Sequence, residues 1–220
     1  MAEVLTFKTI AEEDKLVVGD KAAKLGLLSQ RFSVPNGFVI TKELFEKFMK
    51  ATQLDVTIMS ALRMMDTRNK DRLQSLANKI QKEIVYATIP EDIAETIREH
   101  YYSLNVAQGA SLGEVLNNQE GPFVAVRSST IGYVDPAKLH MSFFNIQGEE
   151  RLFKAILTCW ASFFTARAIE YRHFRNITSP SLAIVVQLML NPAQAGVVYS
   201  THPNNHEEML VLGCLGLGSG

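Results

Sequence analysis

An apolar run of strand length, Pro122-Phe123-Val124-Ala125-Val126, ends without transition in Arg127-Ser128-Ser129. A run without polar alternation reads as a buried strand, so other elements must cover it. Its abrupt end places a guanidinium and two hydroxyls at a strand tip, where α/β sites hold ligands and where an Arg fork suits phosphate oxygens. The same residues read equally as an arginine paired with a structural carboxylate beside two serines capping a turn.

The rest of the chain supplies the covering elements. From residue 1 to about 50, Leu5-Thr6-Phe7 is strand-like, and Val17-Val18-Gly19-Asp20-Lys21 leads into a helix with Ala22, Leu25 and Leu28 on one face. Val34-Pro35-Asn36-Gly37 signals a turn, because Pro presets φ and Gly accepts positive φ. Phe38-Val39-Ile40 is a short strand, and Thr41 reads as the N-cap of a helix carrying Leu44, Phe45 and Phe48. From about 55 to 108 the pattern is helical, with Leu73, Leu76, Ala77, Ile80 and Ile84 forming one stripe. A second helix starts at Ile89-Pro90-Glu91-Asp92 and buries Ile93, Ile97 and Tyr101.

Residues 107 to 120 are polar and read as a seam, dividing a helix-rich part (1–110) from a part holding the Arg-Ser-Ser strand (111–220). In that second part Phe143-Phe144-Asn145-Ile146 is strand-like, and Glu149 to about Phe174 reads as one long helix. Its basic residues Arg167, Arg172, His173 and Arg175 fall near the negative dipole end. The β-branched runs Leu182 to Met189 and Gly196 to Ser200 suggest a hairpin across Asn191-Pro192, with Met209 to Leu212 as a further strand. The fold class expected is α+β: helices first, then a mixed or antiparallel sheet with packed helices.

A second possible phosphate contact lies at Gly19-Asp20-Lys21-Ala22, where a lysine sits at a loop-to-helix junction. Helix N-termini present free N–H groups to anions and a lysine adds a full charge; an exposed first-turn lysine is the plainer reading. A net charge of −1 gives no electrostatic reason to expect nucleic acid or an anionic membrane as partner. Cys159 and Cys214 lie far apart and lack metal-ligand spacing, so a disulfide framework is not expected and a reducing cytoplasm is. The opening residues lack a signal-peptide pattern and no window approaches 18 uncharged apolar residues, so no membrane span is expected.

Taken in order, Asp20-Lys21 with its Ala-rich helix and Val34-Pro35-Asn36-Gly37-Phe38-Val39-Ile40-Thr41 resemble the opening of the phosphoenolpyruvate synthase and pyruvate phosphate dikinase family. There a Gly-Gly-Lys loop and helix precede Val-Pro-Pro-Gly-Phe-Val-Val-Thr. Val124 to Ser129, Cys159 to Arg172, Ala183 to Ser200 and Gly216-Leu217-Gly218 are similar to later segments of that family. The resemblance implies an ATP-grasp-like fold. It implies use of ATP with Mg²⁺, and separate phosphohistidine and pyruvate-binding domains elsewhere in the protein. Carried over by residue, Lys21 contacts the ATP phosphates and Arg127 acts catalytically on the transferring group. Ser128, Ser129 and Gln187 become further nucleotide contacts.

Three departures from the family pattern stand out. The loop Thr130 to Met141 is shorter than the synthase pattern and lacks its acidic pair; its His140 reads as an exposed loop residue. Position 20 holds Asp where the family has Gly, expected to turn away or cap the helix. The family's acidic Mg²⁺ ligands lie beyond the Gly-Leu-Gly segment where this sequence stops, so no metal ligand is assigned and the frame is expected to continue. Glu207-Glu208 reads as a solvated turn. The competing expectation is a stand-alone or degenerate domain that binds nucleotide or a partner without turnover, or a relative with another phosphoryl acceptor.

Overall fold

The structure, a computed structural model, describes residues 2–63, 69–106, 121–132, 141–175, 177, 181–202, 204–205 and 207–218. Contacts divide it into Met1–Met189 and Leu190–Gly220.

In the first unit β1 (Val4–Thr6) leads through two short 3-10 turns to α1 (Lys15–Ser29). β2 (Gly37–Ile40), α2 (Lys42–Ala51), α3 (Leu54–Arg63), α4 (Lys70–Val85) and α5 (Glu91–Val106) follow. Then come β3 (Val124–Thr130), β4 (Ser142–Ile146), α6 (Glu149–Ser162), α7 (Ala166–Phe174) and β5 (Leu182–Leu188). The five strands form one antiparallel sheet in the order β1-β2-β5-β3-β4. The architecture is α+β, as the sequence pattern predicts.

Strand alternation sorts the sheet into two faces. Leu182, Ile184, Val186 and Leu188 of β5, with Val124 and Val126 of β3, enter the larger core, built with α2 through α7. Ala183 and Val185, with Val39, enter a smaller core against α1, Phe7 and Ile10. The helical stripes are as expected: Leu73, Ala77, Ile80 and Ile84 of α4, and Ile93, Ile97 and Tyr101 of α5, are buried. The expected boundary at 110/111 falls outside the described residues. One core draws on both sides of it, from Phe38 to Tyr101 and from Val124 to Leu188.

Three local expectations give way to tertiary structure. β5 does not form a hairpin with the next strand, because both its edges are occupied, by β2 and by β3. The expected long helix breaks after Ser162 and resumes at Ala166 with a 43° bend. Thr165 Oγ1 accepts from Ala168 N at 3.2 Å and caps the new start. Arg172 is therefore carried into the core rather than to a solvated helix end: it stacks over Phe163 at 4.3 Å, and burial lowers its pKa to about 10. Thr41 takes the backbone position of a cap, but its hydroxyl donates to the carbonyls of Ala2 and Glu3, tying α2 to the first strand.

Tyr101 pins the approach to β3. Its hydroxyl donates to Pro122 O at 2.8 Å and accepts from Gly148 N at 3.0 Å, joining the residues before β3 to the start of α6. Among the described residues no single helix is long and apolar enough to cross a membrane; α6 and α7 pass such a test only together, across their bend.

The second unit is a hairpin of β6 (Gln194–Tyr199) and β7 (Leu210–Leu215), in register from Gln194↔Leu215 to Tyr199↔Leu210. Glu207 and Glu208 lie in the turn region before β7 and are exposed, as expected of a solvated turn.

Candidate functional site

The tip of β3 meets the start of α1, and Gly19 is what allows the approach. At φ 78°, ψ 169° it lies outside the helical region, so the helix restarts after it. A Cβ there would stand 2.5 Å from Thr130 O and 2.6 Å from Ser129 Oγ. Such a backbone position is open essentially to glycine alone. The restarted helix has unpaired N–H groups in its first turn, and Ser129 Oγ accepts from one of them, Ala22 N, at 3.3 Å.

Ser128 faces the other way. Alternation puts Val124, Val126 and Ser128 on the large-core side and Ala125, Arg127 and Ser129 on the α1 side. The Ser128 hydroxyl is buried and accepts from Met141 N at 3.0 Å, while Ser128 N donates to Met141 O at 3.0 Å. A regular antiparallel pair would send Met141 N to the Ser128 carbonyl. That carbonyl is instead taken by Lys21 Nζ, at 3.1 Å.

Lys21 and Arg127 are both half-buried. Burial pushes the Lys21 ammonium below its ordinary pKa, the neighbouring Arg127 charge pushes it further down, and the Cys159 thiol acts in the opposite sense. Burial likewise lowers Arg127. The Cys159 thiol is buried and pushed up to about 12, leaving it an inert core group. Arg127 stacks over the Phe144 ring at 5.3 Å, and its buried Nε has no hydrogen-bond partner among the described residues. Among those residues neither cation forms an ion pair. Asp20 turns away to Lys15, at 2.8 Å, on the exposed side of the helix.

Of the residues picked out in the sequence, Lys21, Arg127 and Ser129 come together at this strand end. Ser128 contributes its carbonyl, with its side chain on the opposite face. Gln187 lies on the α1 side, two pairs along the ladder from Arg127 (Ala125↔Gln187, Arg127↔Val185), but its amide donates to Pro35 O at 3.2 Å. His140 and the loop 133–140 lie outside the described residues. The sequence reading placed Gly19 in the loop entering the helix and Phe144 in a strand, without assigning either to the site. A Gly-Asp step opening a helix and an aromatic before Asn145 were the available signals.

No group of three or more His, Cys, Asp or Glu among the described residues is placed to hold a metal ion, and the side chains gathered at this strand end are cations and a hydroxyl. They do fit an anion: two neighbouring cations, neither in an ion pair among the described residues, are what an oxyanion with several oxygens would bind.

Residues 15–220 match the family described as pyruvate phosphate dikinase, AMP/ATP-binding domain. A probable phosphoenolpyruvate synthase of Methanothermobacter thermautotrophicus is 34% identical over 98% of this chain and 31% of its own length. The phosphoenolpyruvate synthase of Aeropyrum pernix is 30% identical over 93% of this chain and 25% of its own. A rifampicin phosphotransferase of Bacillus cereus is 29% identical over 98% of this chain and 24% of its own. The chain thus spans less than a third of the length of these curated relatives.

Proposed function

The chain belongs to the pyruvate phosphate dikinase AMP/ATP-binding domain family, and from that premise we propose that it is the ATP-binding part of a phosphotransferase that passes a phosphoryl group from ATP to a catalytic histidine and on to pyruvate. The observation that carries the reading is the pair of half-buried cations, Lys21 and Arg127, held at one strand end with no carboxylate partner among the described residues. A buried charge without a counter-charge is costly, and a polyphosphate supplies one.

In this reading Lys21 leaves or shares the Ser128 carbonyl to contact the phosphates, and Arg127 balances charge on the transferring group. That is the electrostatic work phosphoryl transfer asks of a protein. Ser129 fixes the helix start that presents Lys21, Ser128 frees its carbonyl for the ammonium, and Gln187 lines the same sheet face. Mg²⁺ enters as the counter-ion of the nucleotide, without ligands assigned here. The phosphohistidine and pyruvate sites belong to other segments, in keeping with the greater length of the relatives. Two free thiols, one of them exposed, suit a reducing cytoplasm.

A second reading keeps this nucleotide site and changes the acceptor. Similarity to rifampicin phosphotransferases favours it.

The test is a titration with ATP and Mg²⁺ followed by thermal unfolding. A ligand selective for the folded state adds about 2.7 kcal/mol of apparent stability at one hundred times its Kd. Stabilisation that shrinks in Lys21→Ala and in Arg127→Ala is the expected result. No stabilisation at millimolar ATP, or the same stabilisation in both variants, overturns the reading.

A further inference from the structure

We propose that Phe144 is the positioning residue of the anion site, its ring face holding the Arg127 guanidinium so that the in-plane N–H groups stay available to a polyphosphate. The inference rests on the reading of Lys21 and Arg127 as phosphate ligands.

The placement is built into β4. The ladder pairs Val126 with Phe143 and Val124 with Ile146, so two residues of β4, Phe144 and Asn145, stand opposite the single Ala125. This is a β-bulge, and Asn145 accommodates it at φ 56°, a left-handed position that Asn tolerates better than most residues. The consequence is a division of labour among adjacent apolar side chains. Phe143 and Ile146 pack on the large core. Phe144 remains 40% exposed, beside Arg127.

A guanidinium can be held in two ways with different consequences. A carboxylate takes the donor fork and cancels the charge. An aromatic ring takes the flat face, at up to roughly 6 Å from the centroid, and leaves the donors at the edge. Arg127 Cζ lies over the Phe144 ring, 5.3 Å from its centroid, and among the described residues the guanidinium has no carboxylate and its Nε no partner. Phe144 therefore restricts the side chain without competing for what it would bind.

The test is calorimetric binding of inorganic triphosphate, ATP and adenosine to the wild-type chain, Phe144→Leu, Phe144→Trp, Arg127→Gln and the Phe144→Leu/Arg127→Gln double variant. A cation–π contact of about 1 kcal/mol corresponds to about fivefold in affinity. Phe144→Leu is expected to weaken triphosphate and ATP alike by about that factor, Phe144→Trp to retain binding, and the loss to vanish in the Arg127→Gln background. A loss confined to ATP and adenosine would mean that the ring stacks on the base and would overturn the proposal. So would a full loss that persists without Arg127, or no loss in Phe144→Leu. If the wild-type chain binds neither triphosphate nor ATP, the phosphate-site reading itself fails, a result that no Phe144 variant can mimic.

Discussion

Replacing Gly19 by Ala tests whether the start of α1 is truly seated on the tip of β3. The new Cβ meets two backbone oxygens and one hydroxyl: Thr130 O at 2.5 Å, Ser129 Oγ at 2.6 Å and Ser129 O at 3.0 Å. Real Cβ atoms do not approach oxygens so closely, and both carbonyls belong to a β3 backbone fixed by its pairing with β5 (Ser129↔Ala183, Thr130↔Leu182). The backbone term, for a non-glycine residue at φ 78°, ψ 169°, is about 1–3 kcal/mol. Steric overpacking adds about 1–3 kcal/mol. The helix start can escape the clash by lifting off, but it then loses Lys21 Nζ to Ser128 O and Ala22 N to Ser129 Oγ, at about 1 kcal/mol each. Either route destabilises by at least about 2 kcal/mol. Urea unfolding followed by circular dichroism reads this directly. Gly132→Ala is the control, since Gly132 also has a positive φ but no described atom lies within 4 Å of its Cβ position. Gly19→Ala should cost clearly more than the control. Equal midpoints for the two variants, or a Gly19→Ala midpoint within about 0.5 kcal/mol of wild type, would refute the docking of α1 on β3.

Tyr101→Phe leaves Pro122 O and Gly148 N without their shared partner in a buried position and is expected to cost about 1–3 kcal/mol in the same assay; a neutral result would mean that the hydroxyl is dispensable. Lys21 gives a pH signature. Its folded pKa lies below the ordinary 10.5, so between the folded value and 10.5 the unfolded chain binds more protons and stability rises with pH. Over the same interval triphosphate binding should weaken, beginning below pH 10.5, and Lys21→Arg should flatten that fall. Binding that is flat to pH 10.5 in the wild type would contradict the assignment.

Much of this was legible from local pattern. The stripes of α4 and α5 follow from three- and four-residue spacing, and β3 from an apolar run with one abrupt polar end. The division between Ser128 and Ser129 was also available, since a strand that buries Val124 and Val126 on one side must send Ser128 with them and Ser129 with Arg127. What the sequence hid depends on distant partners. β5 looked like half of a hairpin because its neighbour in sequence is another strand, yet its edges pair with residues 37–40 and 124–130. The break between α6 and α7 carries no Gly or Pro and rests on one threonine cap. The bulge at Phe144 and Asn145 exists only because two residues on opposite sides of it both have core partners.

Among the described residues the contacts around the two cations share one property: they locate a positive charge without neutralising it. Lys21 is held by a carbonyl and Arg127 by an aromatic face, while the nearest acid in sequence, Asp20, spends its charge on Lys15. Dipoles and ring quadrupoles attract a cation but leave its net charge in place, so each of the two side chains is depressed in pKa by burial instead of being raised by a partner. A carboxylate at either position would stabilise the empty fold and compete with any anionic ligand. A site stabilised by its own ion pairs would lose affinity for a polyphosphate to that competition. One that leaves Lys21 and Arg127 uncompensated keeps their full charge for the ligand and becomes more stable when it arrives.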